Sequence, residues 1–280
     1  MQSRSFDVIC AGHTEWSVVA PRASEERLRL LPSDGAIRSA LLLSNMSGAL
    51  GSTGERPLRV GLATNLQDDS LGRRLTEHLT NAGIDTTGVS FERSFSGVVL
   101  LEARLDAPRV VDTHIAAAPI SIPEEWRARV LLLSGLAPSV AYNASLCKAA
   151  RAARRRGAAV VVEVAATFHA WAGADSRAAR AVLANADVVC CTSEDLAILG
   201  ESALSLRSWM RPEAAFVLHA VGEPPMVTGR FGVVRGRGQK EAQLLGTPLA
   251  ASICRELSMS RDVFDVPPDL YRRALDSSGG

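Results

Sequence analysis

The sequence predicts an α/β fold, in which a mostly parallel sheet carries helices on both faces and a small β unit comes from the first third of the chain. Residues 129–134 (RVLLLS) and 158–164 (AAVVVEV) are apolar runs that do not alternate with polar residues, as is typical of strands buried on both faces. Helical patterns separate these runs, and Gly83 and Gly157 end two of the helices. The earlier strands alternate more and come in hairpin-like pairs, which favours a separate β appendage.

In chain order, each element is predicted from its local pattern. Strands are expected at 7–11, 59–63, 98–103, 109–114, 129–134, 158–164, 187–191 and 214–218. Helices are expected at 71–82, 140–156 and 176–184, with a short one opened by Thr192. The stretch 229–238 (GRFGVVRGRG) is expected to be the most irregular part of the chain.

The composition limits the classes of protein to which the chain can belong. The 280 residues suffice for one large α/β domain, or for one domain with a small appendage. Hydrophobic residues at 47% and charged residues at 22% exclude wholesale disorder. Thirty-one basic against 30 acidic residues give no reason to expect a nucleic acid partner. The basic cluster 151–156 (RAARRR) ends an amphipathic helix without interleaved aromatic residues, so we interpret it as a solvated helix end.

The chain is expected to be cytoplasmic and free of metal-binding cysteines. No apolar run reaches the roughly 18 residues that cross a bilayer, and the start of the chain lacks the features of a signal peptide. The five cysteines include no CxxC pair, so they are expected to be reduced core residues. Cys190 and Cys191 are expected to face opposite sides of one strand.

Two polar stretches follow predicted strands, and each has two interpretations. Asp68 and Asp69 come between a strand and a helix, where they either cap the helix or contact a polar substrate in the crevice that such loops line. In the second stretch, either Thr192 or Ser193 caps the next short helix, with Glu194 and Asp195 in its first turn, or the carboxylates lie near a Mg²⁺-bound phosphate. The histidines are scattered along the chain, and His13 is kept as a candidate functional residue because it follows the first strand.

Known phosphate-binding and hydrolase motifs are absent from the sequence: there is no GxxxxGK[ST], no GxGxxG after the first strand, no HExxH and no GxSxG. The ordered segments instead resemble the ribokinase-like (PfkB) family of sugar and nucleoside kinases. The most diagnostic segment is 79–89 (LTNAGIDTTGV), which is similar to the family's "L…AGVDTSGV". Residues 34–40 (DGAIRSA), 188–199 (VVCCTSEDLAIL) and 216–227 (FVLHAVGEPPMV) resemble its substrate motif, its NxxE motif and its nucleotide-edge strand. The resemblance spans roughly residues 5 to 228.

The resemblance implies one ribokinase-like domain over residues 1–280, a three-layer α/β/α fold with lid strands from roughly 13–40 and 95–118. It implies transfer of the γ-phosphoryl group of ATP, with Mg²⁺, to a sugar or nucleoside hydroxyl, and pairing of two copies through the lid. No membrane or nucleic acid partner is expected. Carried over position by position, the resemblance assigns substrate contacts to Gly12, His13, Gly35, Arg38, Asp68 and Asp69, nucleotide contacts to Asp195, Gly222 and Glu223, and metal binding to Asp195.

The family's GAGD motif, which supplies the catalytic base and opens a helix with an anion hole, is missing after Val227. Either Gly236 to Gln239 replace it, with Gln239 in place of the catalytic Asp, or the block is deleted. We favour deletion, in which 241–257 resembles a later helix and the C-terminal part is truncated or rearranged after 228. No catalytic residue is therefore assigned. The sequence predicts a kinase-family protein whose activity is impaired or lost, with a non-catalytic sugar-, nucleotide- or protein-binding descendant as the alternative.

Overall fold

A computed structural model describes residues 3–20, 29–49, 56–93, 97–102, 109–114, 118–166, 171, 176–220, 223–236 and 246–277. In these ranges thirteen strands form two sheets. The strands are β1 (Arg4–Gly12), β2 (Thr14–Ala20), β3 (Arg29–Gly35), β4 (Val60–Gln67), β5 (Asp85–Glu92), β6 (Gly97–Glu102), β7 (Arg109–His114), β8 (Trp126–Ser134), β9 (Ala159–Glu163), β10 (Val188–Thr192), β11 (Ala215–His219), β12 (Met226–Gly229) and β13 (Gly232–Arg235). The helices in the same ranges are α1 (Ala36–Ala49), α2 (Ser70–Asn81), α3 (Val140–Arg155), α4 (Arg177–Leu183), α5 (Ser193–Leu199), α6 (Ala203–Trp209), α7 (Gly246–Met259) and α8 (Pro268–Ser277).

The larger sheet has nine described strands in the order β13-β12-β11-β10-β9-β8-β1-β4-β5. The strands from β11 to β5 are parallel, and only β12 and β13 run antiparallel to their neighbours. The apolar runs lie inside β8 and β9, whose buried residues fill both faces of the sheet. The predicted α/β class with a mostly parallel sheet is confirmed.

Helices cover both faces of this sheet, so the fold has three layers. One hydrophobic cluster joins the sheet to α1, α2, α7 and α8, and a second joins the other face to α3, α4, α5 and α6. Cys190 belongs to the first cluster and Cys191 to the second, which confirms their predicted opposite orientation. All five cysteines are buried and free, and burial raises the pKa of the Cys10 and Cys254 thiols, which keeps them protonated.

The second sheet has four described strands in the order β3-β2-β6-β7. Strand β2 pairs antiparallel with β3 and parallel with β6, and β6 pairs antiparallel with β7. These strands lie inside the ranges 13–40 and 95–118 named for the lid. Only His13 separates β1 of the large sheet from β2 of the small one.

The C-terminal part of the chain differs from what the sequence predicted. The described part of the stretch expected to be irregular, residues 229–236, contains the turn and the second strand of the β12–β13 hairpin, in which Gly229 lies opposite Gly232. Its strands are four residues each, and β12 extends the large sheet by pairing with β11. A hairpin this short gains its stability from the sheet edge that it joins, and local sequence carries no sign of that edge.

Helix α7 lies on the central strands, where it packs against α1, β1, β8, β9 and β10. Helix α8 then packs on α7 and β13 through its buried residues Leu270, Tyr271, Ala274 and Leu275. Helix α8 thus covers part of the apolar surface at the end of the chain. None of the helices in the described ranges has the length and apolar character that a membrane crossing requires.

Candidate functional site

The order of the strands places a crevice at the ends of β1 and β8. The chain moves from β1 outward through β4 to β5, and then from β8 outward in the other direction through β9, β10 and β11. In open parallel sheets, ligands bind outside the carboxyl ends of the strands where this direction reverses. Gly12 and Ser134 are the last paired residues of β1 and β8. A Cβ atom on Gly12 would lie 2.0 Å from the Ser134 carbonyl oxygen, so only glycine allows this approach.

His13 lies at this crevice and is 8% exposed. Its backbone N–H donates to the Tyr142 hydroxyl at 2.9 Å, and its Nδ1 lies 3.1 Å from the same oxygen. The Tyr142 hydroxyl donates in turn to the Gly135 carbonyl at 2.9 Å. The imidazole ring lies against Gly135, where a Cβ atom would come within 2.2 Å of His13 Cε1. His13 is therefore held by β8 and by the first turn of α3.

The chain passes His13 again at the end of β3, where it leaves the small sheet. Thr14 pairs with Gly35, and a Cβ atom on Gly35, which has a φ of +101°, would lie 2.8 Å from the His13 carbonyl oxygen. Thr64 joins both sides of His13, because its hydroxyl donates to the Gly12 carbonyl and lies 2.7 Å from the Thr14 hydroxyl. The predicted substrate residues Gly12, His13 and Gly35 are thus brought together by the fold.

A buried carboxylate lies one strand further along the sheet. Glu163 is the last residue of β9 and is 2% exposed, and the hydroxyl of the equally buried Ser134 donates to its Oε2. Val161, two residues earlier on the same face of the strand, belongs to the hydrophobic cluster under α7. Glu163 therefore faces the side of the sheet that α7 covers.

Helix α7 points its amino end toward this edge of the sheet. The Arg129 guanidinium, in the first half of β8, donates to the carbonyl of Ser260, which directly follows the helix. The carboxyl end of α7 therefore lies near the amino end of β8, and the helix runs antiparallel to the strands. Its described amino end, with Pro248 and Leu249 buried, lies toward the carboxyl edge that holds Gly12, Ser134 and Glu163.

Asp195 caps α5 and also holds the loop after β9. Its Oδ2 accepts from the Thr192 N–H at 2.7 Å and the Thr192 hydroxyl at 2.9 Å, which forms a capping box. Its Oδ1 accepts from the Ala166 N–H at 2.7 Å. Ala165 beside it has a φ of +39°, in the region that favours glycine. Burial raises the pKa of the Asp195 carboxyl, and these hydrogen bonds oppose the shift.

Asp68 and Asp69 both bind groups in the first turn of α2. Asp69 is its N-cap and accepts from the Gly72 N–H at 2.8 Å, while Asp68 pairs with Arg73 in the first turn. Both capping interpretations offered from sequence therefore describe observed bonds. The substrate contacts of Asp68 and Asp69 and the nucleotide contact of Asp195 stay predictions.

The remaining predicted positions are scattered. Arg38 lies in the first turn of α1, partly buried, three residues after Gly35. Glu223 is exposed in a turn in which its N–H donates to the Ala220 carbonyl at 3.1 Å. Gly222 and Gln239 lie outside the described residues.

Sequence reasoning missed Tyr142 and Gly135 as partners of His13. Tyr142 occupies an ordinary position in an amphipathic helix, so no local signal marks it. Glu163 does carry a local signal, because it is the one charge inside the apolar run 158–164. In the part of the chain that the structure describes, no three His, Cys, Asp or Glu side chains are grouped as a metal site would require.

No protein-family model matches the chain. Solved structures do match it over nearly its whole length. A PfkB protein from Polaromonas sp. JS666 is 21% identical with a TM-score of 0.70, over 96% of this chain and 93% of that one. A Vibrio cholerae fructokinase, solved with fructose, ADP and a calcium ion, is 14% identical with a TM-score of 0.75, over 97% and 90%.

An aminoimidazole riboside kinase from Salmonella enterica, complexed with aminoimidazole riboside and an ATP analog, is 13% identical with a TM-score of 0.72, over 99% of this chain and 91% of that one. At these identities the likeness establishes the fold. The chain has the ribokinase-like α/β fold of these kinases, as its motifs predicted.

Proposed function

We propose that this chain is a ribokinase-like (PfkB) family protein, related to ATP-dependent sugar and nucleoside kinases, in which phosphoryl transfer to a hydroxyl is impaired or lost. The shared fold and the ordered motifs support the relation. The observation that carries the proposed loss of activity is that Pro248 and Leu249, in the first turn of α7, are buried apolar residues.

The position of α7 supports a different correspondence from the two considered from sequence. In the family, the GAGD motif opens a buried helix, and here the buried helix that follows the β12–β13 hairpin is α7. Its first described residues are Gly246, Thr247, Pro248 and Leu249. In this correspondence Leu249, which is 5% exposed, replaces the Asp that would accept the proton of the attacking hydroxyl.

The same segment weakens the binding of an anion. The family uses free backbone N–H groups at this helix start to hold negative charge. Pro248 has no N–H group, so one donor is absent from the first turn. Loss of a general base removes about 10²–10⁴ in rate, and loss of one preorganised donor removes about 10²–10³. Efficient turnover is not expected from such a site.

The residues present do not fit a Mg²⁺ ion held by Asp195. Both oxygens of its carboxylate accept hydrogen bonds from the protein, and the side chain is 6% exposed. No step of phosphoryl transfer is therefore derived through a metal at this position. Nucleotide contacts at Gly222 and Glu223, a cytoplasmic location and pairing through the lid remain parts of the proposal.

The test is an ADP-release assay on the purified chain with a panel of sugars and nucleosides. We expect no sugar-dependent release, whereas turnover in the ordinary range of kinases, about 1–100 s⁻¹, would refute the proposal. A parallel thermal-shift series with ATP, ADP and the same panel tests the non-catalytic alternative. A shift without turnover favours a binding protein, for which the retained His13 junction is the candidate pocket.

The Leu249 correspondence has its own matched pair of variants. Leu249→Asp supplies a carboxylate and Leu249→Asn supplies an amide of the same shape that cannot act as a base. If Leu249 replaces the catalytic Asp, any trace of sugar-dependent release should be at least about 10²-fold higher in L249D than in L249N. Equal rates in two folded variants would contradict the correspondence.

A further inference from the structure

The three residues His13, Tyr142 and Gly135, here called the His13 cluster, join parts of the chain that are far apart in sequence. Tyr142 is 129 residues from His13 and is fully buried in the first turn of α3. Its hydroxyl contacts His13 twice and Gly135 once. The two rings meet edge to face, with centroids 5.6 Å apart and planes at 75°. The cluster is thus built around one phenol oxygen.

Counting hydrogens on that oxygen assigns the proton on the imidazole. A phenol has one hydrogen to donate, and the Tyr142 hydroxyl donates it to the Gly135 carbonyl at 2.9 Å. The oxygen accepts the His13 backbone N–H at 2.9 Å. With its hydrogen donated to Gly135, the same oxygen forms a hydrogen bond with His13 Nδ1, 3.1 Å away, only if Nδ1 carries a hydrogen.

We propose that Tyr142 is a positioning residue that fixes His13 in the tautomer with its hydrogen on Nδ1. His13 then has Nε2 as its acceptor nitrogen when the ring is neutral. Gly135 completes the arrangement, because its carbonyl takes the phenol hydrogen and its missing side chain admits the ring. A neutral imidazole with this tautomer accepts a hydrogen bond at Nε2, the kind of bond that a hydroxyl group donates.

The inference rests on the proposed function in one respect only, which is that His13 lies in a pocket for a polyhydroxyl ligand. The position itself is defined by the fold. His13 stands alone between β1 and β2, and Gly35, at the return from the small sheet, packs on its carbonyl. A side chain at this junction is held by both the large sheet and the start of the small one.

The experiment is ¹⁵N NMR of the imidazole groups in the full chain labelled at histidine. In neutral imidazole the two tautomers give different ¹⁵N shifts for Nδ1 and Nε2. The five histidines are resolved by comparison with a His13→Gln variant, in which one set of signals disappears. We expect the Nδ1–H pattern for His13. The Nε2–H pattern, or an averaged mixture of both, would overturn the inference even if the protein binds a sugar.

Tyr142→Phe tests the role of the hydroxyl, and Tyr271→Phe is its matched control, since these are the only two tyrosines in the chain. Tyr271 is also buried, and it stacks on Phe231 in another part of the fold. We expect Y142F to lose the Nδ1–H preference of His13 and Y271F to retain it. An unchanged His13 pattern in Y142F would refute the positioning role. If Y142F does not fold, the tautomer of His13 in the wild-type protein alone decides whether the inference holds.

These outcomes are independent of the proposed function. Efficient kinase turnover would end the proposal of an impaired kinase without changing the tautomer of His13. A wrong tautomer would end the positioning role of Tyr142 without restoring catalysis.

Discussion

Asp195 shows how a side chain expected to bind a ligand is used by the protein itself. Its two oxygens accept three hydrogen bonds, two from Thr192 and one from Ala166. The carboxylate therefore ties the start of α5 to the loop that follows β9. That loop includes Ala165 with its positive φ, a conformation that persists only where the surroundings hold it.

Replacing Asp195 by alanine should destabilise the protein by about 2–3 kcal/mol. The substitution leaves the partly buried N–H groups of Thr192 and Ala166 without an acceptor. Each costs about 1–1.5 kcal/mol, the lower part of the range for unsatisfied groups, because both are partly exposed. Glu194→Ala is the control, because Glu194 is exposed in the same turn, and its loss should cost less than about 1 kcal/mol. Urea unfolding of both variants measures the difference. Equal effects would show that the capping box and the Ala166 bond contribute little.

The same residue predicts a pH dependence. Burial raises the Asp195 pKa above its ordinary value of 3.8, so the folded protein binds this proton more tightly than the unfolded chain does. Its contribution to stability is complete below the unfolded pKa and is lost as pH rises through the folded pKa. The free energy of unfolding of wild type, minus that of D195A, should fall as pH increases from 3.8 and then become constant. Denaturant unfolding of both proteins from pH 3 to 8 measures this, and a difference that rises over that range would contradict it.

Ala165→Gly should stabilise the protein slightly. A left-handed backbone costs a residue with a Cβ about 1–2 kcal/mol, and glycine recovers that cost while losing about 0.4–1 kcal/mol through the unfolded chain. The net gain is about 0.5–1 kcal/mol. Ala166→Gly, one residue on and outside that conformation, should instead be neutral or destabilising. Thermal unfolding compares the two variants, and a loss of stability in A165G would indicate that the positive φ is not strained.

Among the strands, the close approach of β1 and β8 creates the candidate site. Their pairing runs to Gly12 and Ser134, and it brings His13 next to Gly135. A strand with any other residue at Gly12 could not come this near to the Ser134 carbonyl. The crevice thus depends on the absence of one side chain at the end of a strand.

Gly12→Ala should cost about 3 kcal/mol or more, since its Cβ would lie 2.0 Å from a backbone oxygen that cannot move without separating the strands. Gly157→Ala is the matched control. Gly157 has a φ of +80° and open space around the added Cβ, so only the backbone cost of about 1 kcal/mol applies. Chemical denaturation gives both values. A Gly12 variant as stable as the Gly157 variant would mean that the strands separate easily.

For the molecule as a whole, the C-terminal segment is part of the core. Helix α8 packs on α7, and the Arg273 guanidinium contacts Glu256 of α7 at 3.0 Å. Helix α7 in turn lies on the central strands beside α1. The end of the chain therefore supports the helix whose amino end faces the candidate site.

Leu270→Ala in α8 should destabilise the whole domain by about 2–4 kcal/mol, because Leu270 is buried in the cluster shared with α7 and the sheet. Arg272→Ala is the control, since Arg272 is exposed on the same helix and should change stability by less than about 0.5 kcal/mol. We expect a single cooperative transition in each case. An early separate transition in L270A would show that α8 unfolds independently of the core.

Much of the architecture could be predicted from local patterns. The apolar runs of β8 and β9 and the leucine spacing of α2 depend on residues within a few positions of one another, so the chain itself displays them. The capping roles of Asp69 and Asp195 are equally local, since each bonds groups three residues away. The β12–β13 hairpin escaped prediction because its stability comes from β11.

Periodicity and helix caps in the amino-acid order were enough to define the α/β class, the mostly parallel sheet and the polar residues at the starts of α2 and α5. The contacts of His13 with Tyr142 and Gly135, the approach of Gly12 to Ser134 and the burial of Glu163 under α7 arose only when the chain had folded. The physical reason is the distance along the chain over which the two kinds of interaction act. Secondary structure follows from hydrogen bonds and side-chain spacing between near neighbours, whereas a site at the carboxyl edge of a sheet joins strand ends that more than a hundred residues separate.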